Sequence, residues 1–147
     1  MASPNLADMI REQAEELSVF KSLPLKIDFA LYLRLEAIGR FKVFTARAGK
    51  TLIGYIPFYV ATHSHHCDSL FATVDNFYVD PAWRHSSKAG LDLFRHAFAA
   101  VEALPGMAAI VVHCKLHKAV DRTSIGEFFK RRGFTPIETL YAKVVQR

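Results

Sequence analysis

The stretch from Leu70 to Cys114 most constrains what this chain can fold into. The run LFATVDNFYV is extended in character and closes at Asp80-Pro81. A helix is predicted from about Ser86 to Ala103, because Ala89, Leu93, Phe94, Ala97, Phe98, Val101 and Leu104 recur along one side. Pro105-Gly106 stops it, and AAIVVHC then supplies a short, nearly all-apolar run of the kind buried inside a sheet. Strand, helix, strand in that order implies a right-handed crossover and parallel pairing. A sheet with a parallel pair has to be covered by helices, so a layered α/β (α+β) sandwich is expected.

The flanking segments agree with that frame. Leu6, Met9, Ile10, Ala14 and Leu17 fall near helical spacing across Asn5 to Leu17, and a second helix is predicted between Asp28 and Gly39. From Phe41 the period changes. FKVFTAR and TLIGYIPFYVAT are rich in β-branched and aromatic residues and are joined by Ala-Gly-Lys, a hairpin connection. Pro57 argues for a bulge or an edge in the second of these strands, and HSHHCD reads as a polar loop. TSIGEFFKRR is a short helix ended by Gly133, and Phe134 to Val145 is predicted to supply a last pair of strands. The expected order is ααβββαβαββ, in one domain spanning residues 1–147.

At 147 residues, with 51% hydrophobic and 22% charged, the chain can close one core without a disordered linker. No apolar run reaches the roughly eighteen residues of a membrane span, and the N-terminus lacks a signal-peptide core. A soluble, cytoplasmic protein without a membrane partner is expected. Two cysteines, Cys67 and Cys114, are too few for a disulfide scaffold. Nineteen Lys and Arg against fourteen Asp and Glu give a net charge of +5, which favours an anionic partner. Charge alone does not choose among a nucleotide cofactor, a nucleic acid and a membrane surface; the basic run Lys130, Arg131, Arg132, with Lys115, Lys118 and Arg122, would suit the cofactor or a nucleic acid. His63, His65, His66 and Cys67 do not have a recognised metal spacing, so no metal site is assigned.

The chemistry is concentrated where the FYVDP strand meets its helix. The connecting loop carries Arg84, His85, Ser86, Ser87 and Lys88, and a helix N-terminus offers unpaired N–H groups and partial positive charge to a pyrophosphate. This stretch resembles the central motif of the GNAT (GCN5-related N-acetyltransferase) superfamily: a strand, an acidic-Pro turn, then Arg/Gln-x-x-Gly-x-Gly/Ala opening a helix. Here it reads Arg84-His-Ser-Ser87-Lys-Ala89, with Ser87 where the family has Gly. EFFKRRGFTPIETLYAK is similar to the family's closing pattern, a helix followed by Gly-Phe and the final strands.

The resemblance covers roughly residues 41 to 145, and the chain looks most like the divergent, bacteriophage-type members. It implies the acyl-CoA N-acyltransferase fold, a mixed central sheet flanked by helices, and acetyl-CoA as cofactor. Pantetheine would lie along Phe77, Tyr78 and Val79, and the phosphates would be held at Arg84, His85, Ser86, Ser87, Lys88, Ala89 and Gly90. The implied reaction is direct attack of a small-molecule or protein amine on the thioester in a ternary complex. Asp75 matches an acidic position of polyamine acetyltransferases and is the expected base or amine anchor. A family Tyr that protonates the leaving thiolate is replaced by Phe129, which leaves Tyr141 and Cys114 as substitute acids. A homodimer is common among similar proteins. Two other readings stay open: a GNAT fold without turnover serving as a binding or virion-associated structural module, and a modifier of nucleic acid.

Overall fold

The computed structural model describes residues 4–18, 20–85, 87–114 and 122–145. Two helices, α1 (Pro4–Leu17) and α2 (Phe29–Ala37), precede a hairpin of β1 (Phe41–Ala48) and β2 (Thr51–His63). Then come β3 (His66–Val74), the two-residue β4 (Tyr78–Val79), α3 (Pro81–Arg84), α4 (Ala89–Glu102), β5 (Met107–Val112) and α5 (Arg122–Lys130). The sheet runs β1-β2-β3-β5, with β4 also paired to β2. Among the described residues only the β3–β5 pair is parallel, with Val74 opposite Val112, as the β-α-β order requires.

Local chemistry sets the boundaries. The Asp28 carboxylate accepts from Leu31 N–H at 2.9 Å and starts α2. Asp80 does the same for α3 through Ala82 N–H at 2.8 Å, with Pro81 preset for the first helical position. Gly49 turns the β1–β2 hairpin at φ 59°. The core lies between α4 and the sheet, where Ile56, Phe58, Val74 and Val101 are fully buried. A second cluster of Met9, Leu52, Tyr55 and Tyr78 packs α1 on the opposite face.

Four sequence expectations need correction. The run from Leu70 to Val79 is not one strand, because it breaks at Asp75–Phe77 between β3 and β4. The long helix begins at Ala89 rather than Ser86, after the separate turn of α3; Ser86 itself lies outside the described residues. HSHHCD is mostly strand, with only Ser64 and His65 in the turn. Residues 134–145 form no strand, and Ile137, Leu140, Tyr141 and Val145 project into solvent. This segment has the apolar content of a strand but no ladder partner among the described residues.

Pro57 explains the break. It lies inside β2 opposite Val43, and the nearest bulge is at Ala46/Arg47. The bond from Val60 N–H to Arg40 C=O, 2.9 Å, turns the even-numbered residues of β2 toward β1. The bond from Asp80 N–H to Ile53 C=O, 2.9 Å, turns the odd-numbered ones toward β3 and β4. Pro57 therefore presents its donorless nitrogen to the side where residues 75–77 leave the ladder.

Candidate functional site

The site is a consequence of that interruption. β5 follows β3 as far as the bond from His113 N–H to Val74 C=O, 2.9 Å. Beyond it β4 pairs only with β2 among the described residues, so the sheet splits. Because Tyr78 and Asp80 direct their backbone groups at β2, the intervening Val79 and the preceding Phe77 direct theirs into the split. Gly54 makes this arrangement possible: a Cβ there would meet Tyr78 O at 2.9 Å and Val79 Cγ2 at 3.1 Å.

A cavity of about 350 Å3 occupies the split. Phe77, Tyr78 and Val79 form one wall, and Val112, His113 and Cys114 form the other. Phe128 and Phe129 of α5 close its apolar end, and Gly90 and Leu91 stand at the start of α4. The Ala89, Gly90 and Leu91 N–H groups have no intrahelical acceptor, as in the first turn of any helix. The lining suits an acyl-pantetheine arm lying beside β4, with anionic phosphates at the helix terminus.

The turn itself is partly occupied by its own side chains. Ser87 Oγ donates to Trp83 C=O at 2.9 Å and accepts from Ala89 N–H at 3.3 Å. Arg84 makes a two-pronged pair with Glu16 of α1, 2.7 Å on each arm, and donates from Nε to Val79 C=O at 2.7 Å. Its guanidinium also lies 5.1 Å from the Tyr78 ring centroid. The hydrogen bond to Glu16 raises the Arg84 pKa above its already high value. His85 and Lys88 are exposed at the same turn.

Asp75 stands at the fork, and His113 Nδ1 lies 3.3 Å from its Oδ1. The carboxylate is 41% exposed and the imidazole 29%, so both can exchange protons with water. Sequence reasoning singled out Asp75 but left His113 unassigned. The parallel pairing was foreseeable but its register was not: in the structure Asp75 follows Val74 and His113 follows its partner Val112. Cys114 lines the split beside His113, and burial raises its thiol pKa. Tyr141 is not brought in. It is 93% exposed, lies on no strand and lines neither cavity.

A second cavity, of about 440 Å3, lies between the N-terminal helices and β1–β2, and Asp75 and Asn76 line both cavities. Among the described residues no cluster of three His, Cys, Asp or Glu could hold a metal. No described helix is long and apolar enough to cross a membrane. In the basic run, Lys130 pairs with Glu127 at 2.9 Å and Arg132 stacks 3.6 Å from the Phe128 centroid. Lys115 and Lys118 lie outside the described residues, as does the side chain of Arg122.

No family model and no curated protein matches the sequence significantly. Solved structures do. An aminoglycoside acetyltransferase from an uncultured soil metagenomic sample is 18% identical, with 98% of this chain and 89% of that one covered at TM-score 0.68. A ribosomal-protein-alanine N-acetyltransferase from Brucella melitensis is 14% identical, with 97% and 90% covered at 0.69. A transcriptional regulator from Bacillus halodurans is 17% identical, with 98% and 96% covered at 0.71. The mixed sheet, split where β5 parts from β4 and flanked by helices, is the GNAT acetyltransferase fold.

Proposed function

We propose that this chain is an acetyl-CoA-dependent N-acetyltransferase in which the amine attacks the thioester directly. The observation that carries the reading is the meeting of two cavities at Asp75 and Asn76. One is a slot with backbone-lined walls and a helix terminus at its end, and the other is a partly open chamber for the acceptor. Acetyl-CoA supplies the activated acyl group. Asp75, with His113 beside it, takes one proton from the incoming ammonium and passes it to water. The neutral nitrogen then bonds to the acetyl carbon, the C–S bond breaks, and the second nitrogen proton ends on the departing sulfur. Backbone N–H groups of the β4 edge, chiefly that of Val79, polarise the carbonyl. Phe129 offers no proton, so the sulfur leaves as a thiolate and receives that second proton by relay, water or Cys114 giving its own proton to the sulfur and regaining one from the nitrogen.

Calorimetry with acetyl-CoA and a thiol-release assay over an amine panel test the proposal. Binding is expected, and Asp75→Asn should lower kcat by about 10²–10⁴-fold with cofactor affinity unchanged. No binding at millimolar acetyl-CoA would remove the enzyme reading, and an unaltered rate in the variant would remove Asp75 from it. A second reading, a GNAT fold kept for binding without turnover, is favoured by the Ser87 hydroxyl occupying the Ala89 amide. It predicts that Ser87→Gly strengthens cofactor binding and that no amine is acetylated.

A further inference from the structure

The second cavity has walls of a particular chemistry. Five of its lining residues are aromatic: Phe29, Tyr32, Phe41, Tyr55 and Tyr59. Four of them, Phe29, Tyr32, Phe41 and Tyr59, form a continuous set, while Tyr55 packs on Tyr78. Tyr32 stacks on Phe41 with centroids 4.9 Å apart and planes 8° from parallel. Tyr59 leans on Phe41 at 5.1 Å and 56°, and Phe29 meets Tyr32 edge-on at 6.3 Å. Burial holds the Tyr55 and Tyr59 phenols above the usual range, so their rings stay neutral and electron-rich. Such faces attract one cation and any flat apolar surface attached to it.

The charged lining is sparse. Glu36 and Asp75 are acidic and Arg47 is basic, a net of one negative charge. A polyamine or an aminoglycoside carries several ammonium groups, whereas here only Glu36 and Asp75 offer carboxylates and Arg47 offsets one of them, so further ammonium groups would have no anionic partner in the lining. The cavity, about 440 Å3, is also of small-ligand size. We propose that the acceptor is a small amine with a single cationic nitrogen on a flat aromatic or apolar body, an arylalkylamine. Its nitrogen is directed to Asp75 and its ring lies against Tyr32, Phe41 and Tyr59. This rests on the chamber being the acceptor site of the proposed transfer. The bonds made and broken are those of that transfer.

The test compares phenethylamine, spermidine and sisomicin on the full-length protein, by thiol release with acetyl-CoA and by calorimetry with the CoA-bound protein. Phenethylamine should show kcat/KM at least about tenfold above the other two. Tyr32→Ala should raise its KM by about tenfold with CoA affinity unchanged. Arg47→Glu, a change at an exposed strand position, should instead improve spermidine by a few-fold and covers the case in which Tyr32→Ala fails to fold. A preference for spermidine or sisomicin, or a folded Tyr32→Ala with unchanged KM, would overturn the proposal. If phenethylamine binds selectively and no amine reacts, the chamber is assigned correctly and the transfer reading fails. If another amine is acetylated while phenethylamine neither binds nor reacts, the transfer reading survives and this inference does not.

Discussion

Glu16 and Arg84 hold each other where a cofactor phosphate would compete for the same guanidinium. Both arms of the pair measure 2.7 Å, and Glu16 itself lines the cavity in the split, the proposed cofactor slot. Its carboxylate neutralises the turn's most constrained cation and repels an incoming anion. Glu16→Gln should therefore tighten CoA about three- to tenfold by calorimetry, and added salt should narrow the gain. The double variant with Arg84→Ala should lose it. Since the pair is partly open to water, folding stability should fall by no more than about 1 kcal/mol. Weaker CoA binding by Glu16→Gln would mean that the pair builds the site rather than guards it. None of this contact could be read from the sequence, because the partners are 68 positions apart and sit on elements with no fixed pairing register. Asp75 with His113 was half legible, since the β-α-β order gives parallel pairing but the register that brings those two together comes from the structure.

The split in the sheet depends on how closely β4 approaches β2, and Gly54 sets that distance. An added methyl would press on the Tyr78 carbonyl, a backbone atom that cannot rotate away. Gly54→Ala should cost about 1–3 kcal/mol as overpacking, at roughly 2–4 °C of Tm per kcal/mol. CoA affinity should drop further than stability does, because the displaced strand is the wall of the slot. Unchanged Tm and affinity would show that β4 relaxes freely. The elements around this point were largely legible. The β-branched and aromatic content of β1 and β2 and the apolar stripe of α4 are local patterns, and so are the Asp80-Pro81 start and the Pro105-Gly106 stop. What was not legible was the interruption at Asp75–Phe77, whose residues read as strand until Pro57 removes a donor opposite them. The C-terminal segment misled for a related reason. Ile137, Leu140 and Val144 supply strand composition, but composition does not supply a partner edge.

The two cores join the helices to the sheet by different means, and this makes the α1 side sensitive to alkali. The α4 side is hydrocarbon and aromatic throughout, with Phe94 stacked 4.0 Å from Phe98. The α1 side instead buries phenols: Tyr55 and Tyr78 are each 3% exposed, and Tyr55 donates to the buried Gln13 of α1. Burial is the leading cause that raises Tyr55, Tyr59 and Tyr78 above their ordinary pKa of 10.0. In the unfolded chain these phenols ionise at the ordinary value, so between pH 10 and the raised folded values the unfolded state holds fewer protons. Stability is therefore intact below pH 10 and lost as pH climbs above it. The urea midpoint should fall over that range. Tyr55→Phe should flatten the fall while lowering stability at neutral pH by about 1 kcal/mol, since Gln13 then has no phenol to accept from. The buried phenols should ionise only as near-ultraviolet dichroism is lost. If Tyr55, Tyr59 and Tyr78 ionised without unfolding, α1 would not seal this face, and the proposed acceptor chamber it helps to wall would be open to solvent.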